Sequence, residues 1–355
     1  MIRTPGEVIH PKEIQRLAAL RALQVLDTPI EARFERITRL ACKAFDVPIA
    51  AISCIDLHRQ WFKSIQGLEV VQTERCVSFC QHTILQDDVL VVPDARLDER
   101  FANNPLVTGE PHIAFYAGTQ LRSRDQMPVA TLCLIDTVPH DDFTQADRDA
   151  LRAFGQLVER ELHTPRTNPI EEALIHQVGE SWRSMLTDPL TRVWNHEGIS
   201  LLISESLRLH TNDQPLGAAV LEMGAYQHIL DHHGPVAADA FLRGFARDAQ
   251  LELDEGDAIG RLRNAEFAIA FRSPESDGQI REKLQTLIEI ANAMAPSCCD
   301  KPSHAFGFWF EHAGVNRPEQ VLEQLTDGLR SISTGQNTAV DVRVYTPAPS
   351  AGKVA

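Results

Sequence analysis

The segment 257–271, Asp-Ala-Ile-Gly-Arg-Leu-Arg-Asn-Ala-Glu-Phe-Ala-Ile-Ala-Phe, constrains this chain more than any other stretch. It reads as two short strands joined by a tight turn at Arg263-Asn264-Ala265-Glu266-Phe267. Asn tolerates left-handed backbone, so Asn264 lets the turn close. Period-two alternation then sends Ala265 and Glu266 to opposite faces. A hairpin of this kind needs a sheet to join, which places the surrounding residues in a mixed helix and strand domain.

The rest of the chain divides at Thr164-Pro-Arg-Thr-Asn-Pro169, where two prolines forbid a continuous helix. With 355 residues the chain has room for two domains, and a 43% hydrophobic content supports a core in each. The first half predicts a helix from Pro11 with an apolar stripe at Ile14, Leu17, Leu20 and Leu23, then a second over 30–45. Strands follow over 49–55, 61–64, 89–92, 115–121 and 130–135. A closing helix starts at Thr144, with Asp147 as a capping-box partner, and ends near 162. This order predicts an α+β domain with an antiparallel sheet. The second half alternates: helices over 197–209, 236–251, 278–293 and 318–331, strands over 217–223, 304–310 and 339–344, and the hairpin between them. Ile175, Val178, Trp182 and Met185 form a short heptad seam, read either as a helix packed on its own domain or as a parallel dimer contact.

Lys and Arg total 34 against 49 Asp and Glu, a net charge of −15. Such an acidic surface disfavours nucleic acid and anionic membranes as partners. Neither a signal-type n-region nor a run of about 18 apolar residues is present. The seven cysteines fit free thiols in a reducing compartment. We therefore expect a cytoplasmic protein. Cys76, Cys80 and His82 are spaced C-x₃-C-x-H, which is not a strong zinc pattern, and no metal site is expected. Cys54 and Cys133 lie on apolar strands and are expected to pack as small hydrophobes.

Asp188-Pro-Leu-Thr-Arg-Val-Trp-Asn195 precedes the hairpin by about seventy residues, and Glu222-Met-Gly-Ala-Tyr-Gln-His-Ile-Leu-Asp-His-His-Gly-Pro-Val-Ala-Ala-Asp239 lies between them. Together the three segments resemble GGDEF (diguanylate cyclase) domains over residues 188–347. The resemblance implies a central sheet surrounded by helices, and a site that joins two GTP molecules with magnesium. Carried over position by position, the family's first metal-binding Asp falls on Glu222, its second on Gly224, its Lys on Gln227 and its guanine-reading Asn on Leu230. The second guanine contact is kept as Asp239. In the signature turn the two glycines become Arg263 and Asn264, the metal carboxylate becomes Ala265, and Glu266 is retained. Thr334-Gly335-Gln336-Asn337 stands where a Lys and Gly-Arg-Asn are expected. Glu222, Asp239, Arg263 and Glu266 are thus remnants of a nucleotide site, with no catalytic set and at most weak binding of GTP with Mg²⁺. Each such loss typically costs about 10²–10³ in rate. The family's Arg-x-x-Asp inhibitory site falls on Asp254-Glu-Gly-Asp257, so Asp254 replaces the Arg, Asp257 is retained and cyclic di-GMP would be repelled there.

Ser78-Phe-Cys-Gln-His82, Val91-Val-Pro-Asp-Ala-Arg96, Phe101-Ala-Asn-Asn-Pro-Leu-Val-Thr-Gly109, Phe115-Tyr-Ala-Gly118 and Thr131-Leu-Cys-Leu-Ile-Asp136 resemble a GAF domain of the kind found ahead of GGDEF domains in bacterial sensors. That resemblance implies a dimerising sensor over 1–163 whose ligand the sequence does not name. Its pocket candidates are Cys80, His82, Asp94, Tyr116 and Thr131. Residues 164–187 then read as a linker with a short signalling helix, and 348–355 as a disordered tail. Three functions follow: a non-catalytic homodimeric signalling protein acting on a protein partner or through GTP-dependent regulation, a weak diguanylate cyclase, or a small-molecule or redox sensor whose second domain is a scaffold.

Overall fold

The computed structural model describes residues 11–166, 168–178, 183–211, 214–299, 301–312, 315, 317–333 and 339–345. Trp182, the side chain of Val178, residues 334–337 and the tail over 348–355 lie outside them. The chain separates into two compact units after Pro165, and each is described by itself.

The first unit runs α1 (Pro11–Ala22), α2 (Ala32–Phe45), β1 (Ile49–Ile55), β2 (Arg59–Gln66), β3 (Gln72–Glu74), α3 (Cys80–Thr83), β4 (Leu90–Val92), α4 (Pro105–Thr108), β5 (Phe115–Arg122), β6 (Pro128–Asp136) and α5 (Gln145–His163). Its sheet has the order β3-β2-β1-β6-β5-β4, antiparallel at every pairing. The short edge strand β3 has no apolar alternation in Gln-Thr-Glu, so the sequence gives no sign of it. β1 is buried along its whole length because both faces of the sheet are covered. On one face Leu20, Phe34, Leu151 and Val158, from α1, α2 and α5, pack against Ile52 and Leu132. On the other, Phe79, Phe101, Val107 and Ile113 pack against Ala51, Tyr116 and Cys133. The Thr144–Asp147 capping box forms as the spacing predicts, with each residue bonding the other's backbone N–H.

Lys63 is fully buried in this unit. Its ammonium meets Glu31 Oε1 at 2.5 Å, Thr28 Oγ1 at 2.8 Å and the Pro29 carbonyl at 2.7 Å. Paired and hydrogen-bonded, the charge is tolerated where an unmatched one would not be.

The second unit contains α6 (Pro169–Val178), α7 (His196–Arg208), β7 (Leu216–Glu222), α8 (Tyr226–Glu252), β8 (Ala258–Arg263), β9 (Glu266–Arg272), α9 (Asp277–Ala293), β10 (His304–Phe310), α10 (Val321–Ser333) and β11 (Val340–Val344). Its sheet order is β11-β10-β7-β9-β8, antiparallel except for the β10–β11 pair. Alternation assigns the two faces. Ala218, Val220, Ala268 and Ala270 share a core with residues of α6, α7 and α10. Phe267 faces the other way and meets Phe245 of α8 edge-on at 4.9 Å.

Residues 164–187 contribute more than a linker. Asn168 caps α6 by accepting from the N–H groups of Ile170 and Glu171, and its amide donates to the Gly256 carbonyl. Ile175 is 2% exposed inside the second unit's core, while Met185 is 59% exposed in a 3₁₀ turn. Of the seam's described side chains, Ile175 packs into its own domain and Met185 does not. The helix expected over 236–251 is the second segment of a longer element. Gly234, at φ 79°, and Pro235 kink α8, and Tyr226–His233 precedes the kink.

Candidate functional site

The hairpin closes through Asn264, which takes φ 43°, the left-handed backbone that Asn accepts most readily after glycine. A register irregularity lies between Arg261 and Arg263. The Asp188–Asn195 segment is folded against this hairpin by its own polar groups. Asp188 Oδ1 accepts from the Thr191 N–H and hydroxyl, Arg192 takes φ 61°, and Trp194 exchanges backbone bonds with Ile259 and Arg261. Asn195 then caps α7 by accepting from the Gly198 N–H.

At the end of the sheet, Glu222 and Glu266 are direct cross-strand partners on one face. The structure brings these two predicted remnants together. Arg263 is paired with Glu266 at 2.9 Å, so its charge is directed at a carboxylate of the protein itself. Ala265 is buried, and its carbonyl accepts from the Met223 N–H at 3.1 Å. Asp239 is half-buried on α8 beyond the kink and has no side-chain partner among the described residues.

Gly224, where the family places its second Asp, is closed by backbone. A Cβ built there would lie 2.2 Å from the Pro302 carbonyl oxygen and 2.6 Å from that of Lys301. Its N–H donates to Ser303 Oγ at 3.3 Å. Magnesium needs near-octahedral oxygen coordination. Glu222 and Glu266 are the two adjacent carboxylates present at this end of the sheet, and Glu266 is already held by Arg263. No group of three or more His, Cys, Asp or Glu among the described residues is arranged to hold a metal.

His228 and His232 stack at 4.2 Å on the first segment of α8, and Cys298 Sγ lies 3.4 Å from His228 Nε2. Gln227 bonds Asp231 instead of serving as a cation. A separate cleft opens at the opposite end of the sheet, among Ile203, Leu207, His210, Leu216 and Phe271, away from the signature turn.

The inhibitory-site position is filled from within. Lys283 Nζ lies 2.6 Å from Asp254 and 2.7 Å from Asp257, and the Arg272 N–H donates to Asp257 at 2.8 Å. Burial pushes the Asp257 carboxyl up, against the pull of Lys283. Asp254 therefore joins an internal ion pair. Lys283, twenty-six residues from Asp257 and on helix α9, carried no sequence signal for this role.

In the first unit the five candidates separate. Cys80, Tyr116 and Thr131 are buried near one another, whereas Asp94 binds Arg96 in a turn and His82 sets its ring edge against Phe101 at 5.0 Å. Burial, then the nearby Arg100, holds the His82 imidazole below its ordinary range. Cys76 is exposed and donates to Glu74, so the C-x₃-C-x-H spacing does not gather its members. The sequence reading missed Cys133, which sits 3.7 Å from Cys80, sulfur to sulfur.

Comparison with known proteins agrees with this architecture. Residues 29–162 match the GAF domain model, and residues 185–303 match the model of the diguanylate cyclase, GGDEF domain. A cyclic di-GMP phosphodiesterase of Pseudomonas aeruginosa is 42% identical over 161 residues, 45% of this chain and 27% of the relative. The diguanylate cyclase DgcP of the same organism is 30% identical over 129 residues, 35% of this chain and 19% of the relative. The chain thus spans about a quarter and a fifth of these relatives' lengths. Among solved structures, the GGDEF domain of DgcB from Caulobacter crescentus in complex with c-di-GMP is 15% identical, with 44% of this chain and 95% of that chain covered and a TM-score of 0.38. No described helix is long and apolar enough to cross a membrane. The chain carries a GAF domain followed by a domain of the GGDEF, or diguanylate cyclase, family.

Proposed function

We propose that this is a cyclic di-GMP signalling protein in which the GAF domain senses and the GGDEF domain relays without synthesising cyclic di-GMP. The observation that carries the reading is the sealed position at Gly224: backbone carbonyls of residues 301 and 302 occupy the space that the family's second Asp would need there. The buried methyl of Ala265 supports it from the other side of the site. Phosphoryl transfer between two GTP molecules depends on cations at the phosphates, and the arginine of the signature turn, Arg263, is paired with Glu266. The output is then contact with a protein partner, by a chain that works as a homodimer.

The test is incubation of the purified chain with GTP and Mg²⁺ or Mn²⁺. We expect no cyclic di-GMP, and sustained turnover would overturn the reading. A second reading, regulation by bound GTP, is favoured by one observation, the unpartnered carboxylate of Asp239. It predicts that GTP raises the melting temperature in wild type and that Asp239→Ala abolishes the rise.

A further inference from the structure

The face of the GAF sheet covered by Phe79, Phe101, Val107 and Ile113 holds a polar cluster that the GGDEF reading does not use. Cys80 begins α3, and Cys133 lies in the middle of β6 opposite Ala51 on one side and Gly118 on the other. Their sulfurs are 3.7 Å apart, and both residues are buried. The Tyr116 hydroxyl donates to Cys80 Sγ at 3.4 Å and shares a 2.6 Å bond with Thr83 Oγ1. Gly118 makes room for that ring: a Cβ there would lie 2.3 Å from the Tyr116 oxygen. Ser53 and Thr131 face each other across β1 and β6, fully buried, and their hydroxyls reach no hydrogen-bond partner. Buried hydroxyls without partners are uncommon and call for a reason. Here the reason is an anion that they could solvate.

We propose that Cys80 and Cys133 are a redox pair, oxidised to a disulfide by a hydroperoxide of the hydrogen peroxide class. The Cys80 thiolate attacks one peroxide oxygen and the O–O bond breaks. The departing hydroxide takes up a proton to become water, which leaves Cys80 as a sulfenic acid. The Cys133 sulfur then attacks the Cys80 sulfur and the S–O bond breaks. The hydroxide lost leaves as a second water with the proton from Cys133. Two thiols lose two electrons in all, and one peroxide becomes two waters. Closing the gap to a bond of about 2.05 Å needs a sulfur movement of well under 2 Å, within the reach of side-chain rotation at α3. Access needs only local opening of a four-residue helix in which Gln81 and His82 are half-exposed.

The electrostatics agree with this order of events. Burial opposes a thiolate at Cys80, but the polar groups gathered around it, Cys133, Thr131, Tyr116 and Ser53, outweigh it and hold the thiol below its ordinary range. Cys133 is held well above its own range by its bond to Cys80, then by burial. Cys80 is the attacking sulfur and Cys133 the resolving one. Cys54, buried on the opposite face without such a cluster and pushed up by burial to about 12, is a built-in control.

The pair deepens the sensor reading of the first domain, but its chemistry is measured without any output. In the full chain, Cys42, Cys76, Cys298 and Cys299 are replaced by Ser, hydrogen peroxide is added, and remaining thiols are alkylated after unfolding. Mass spectrometry should show two thiols lost together, a peptide linked through Cys80 and Cys133, and recovery with a reductant, at least tenfold faster than any change at Cys54. Cys133→Ser should instead leave a dimedone-reactive sulfenic acid on Cys80, and Cys80→Ser neither product. Both thiols remaining alkylatable, Cys54 oxidising as fast, or Cys80 over-oxidising beside a free Cys133 in wild type would overturn the proposal. None of these outcomes bears on the GTP test, so the two readings fail separately.

Discussion

The two sheets of this protein treat polar groups in opposite ways. In the GAF domain, polar side chains from distant segments are drawn inside. Lys63 is fully buried among Glu31, Thr28 and the Pro29 carbonyl, and Cys80, Tyr116, Thr83 and Cys133 make one buried cluster. In the GGDEF domain, three positions that a motif marks as polar have become alanine, glycine and leucine, and several of the charges that remain pair with each other. Arg263 holds Glu266, and Lys283 bridges Asp254 and Asp257. A retained motif frame is therefore no guide to where the reactive groups of a chain lie. Here the frame survives around Gly224, which backbone carbonyls cover, while the buried sulfur pair has no frame at all.

Three substitutions press on this contrast. The largest effect is expected in the GAF interior, where Lys63→Ala should cost about 3–5 kcal/mol, because it leaves Glu31, Thr28 and the Pro29 carbonyl facing a cavity. Urea denaturation followed by tryptophan fluorescence measures it, and a loss under 1 kcal/mol would show that the first domain's interior is wetter than described. Next comes Gly224→Asp, which restores the family's carboxylate in name. The Pro302 carbonyl stands in the way, so we expect a destabilisation of about 1–3 kcal/mol and no gain of cyclase activity. Cyclic di-GMP production by this variant, alone or with Ala265→Asp, would erase the contrast between a sealed site and a merely substituted one. The smallest effect should come from Arg263→Ala at the rim. Arg263 is about half exposed, and its ion pair is worth less than about 1 kcal/mol. A change in melting temperature of more than a few degrees would mean that the turn depends on that pair for its shape.

Much of the architecture was legible. The Thr144 capping box, the break between Pro165 and Pro169, the left-handed Asn264 and the 304–310 strand all rest on local rules, and all appear as those rules predict. What escaped was of two kinds. β3 is three polar residues that become a strand only because the edge of β2 offers unpaired backbone groups. The first segment of α8 lies outside the helix expected over 236–251, because Gly234-Pro235 interrupts the pattern although it only kinks one longer element.

The sequence by itself determined the two domains, their order, and the identity of every altered position in the signature, since each is a matter of residue type at a given place in a motif. Only the tertiary structure decided what the alterations amount to. Whether Gly224 is an empty slot or a sealed one depends on a carbonyl seventy-eight residues away at Pro302. Whether Cys80 is a filler or a reactive thiol depends on Cys133, fifty-three residues on, and on two hydroxyls from neighbouring strands. Residue chemistry is written in one dimension. Proximity, and the solvation that buried neighbours provide or withhold, exist only once the sheet has formed.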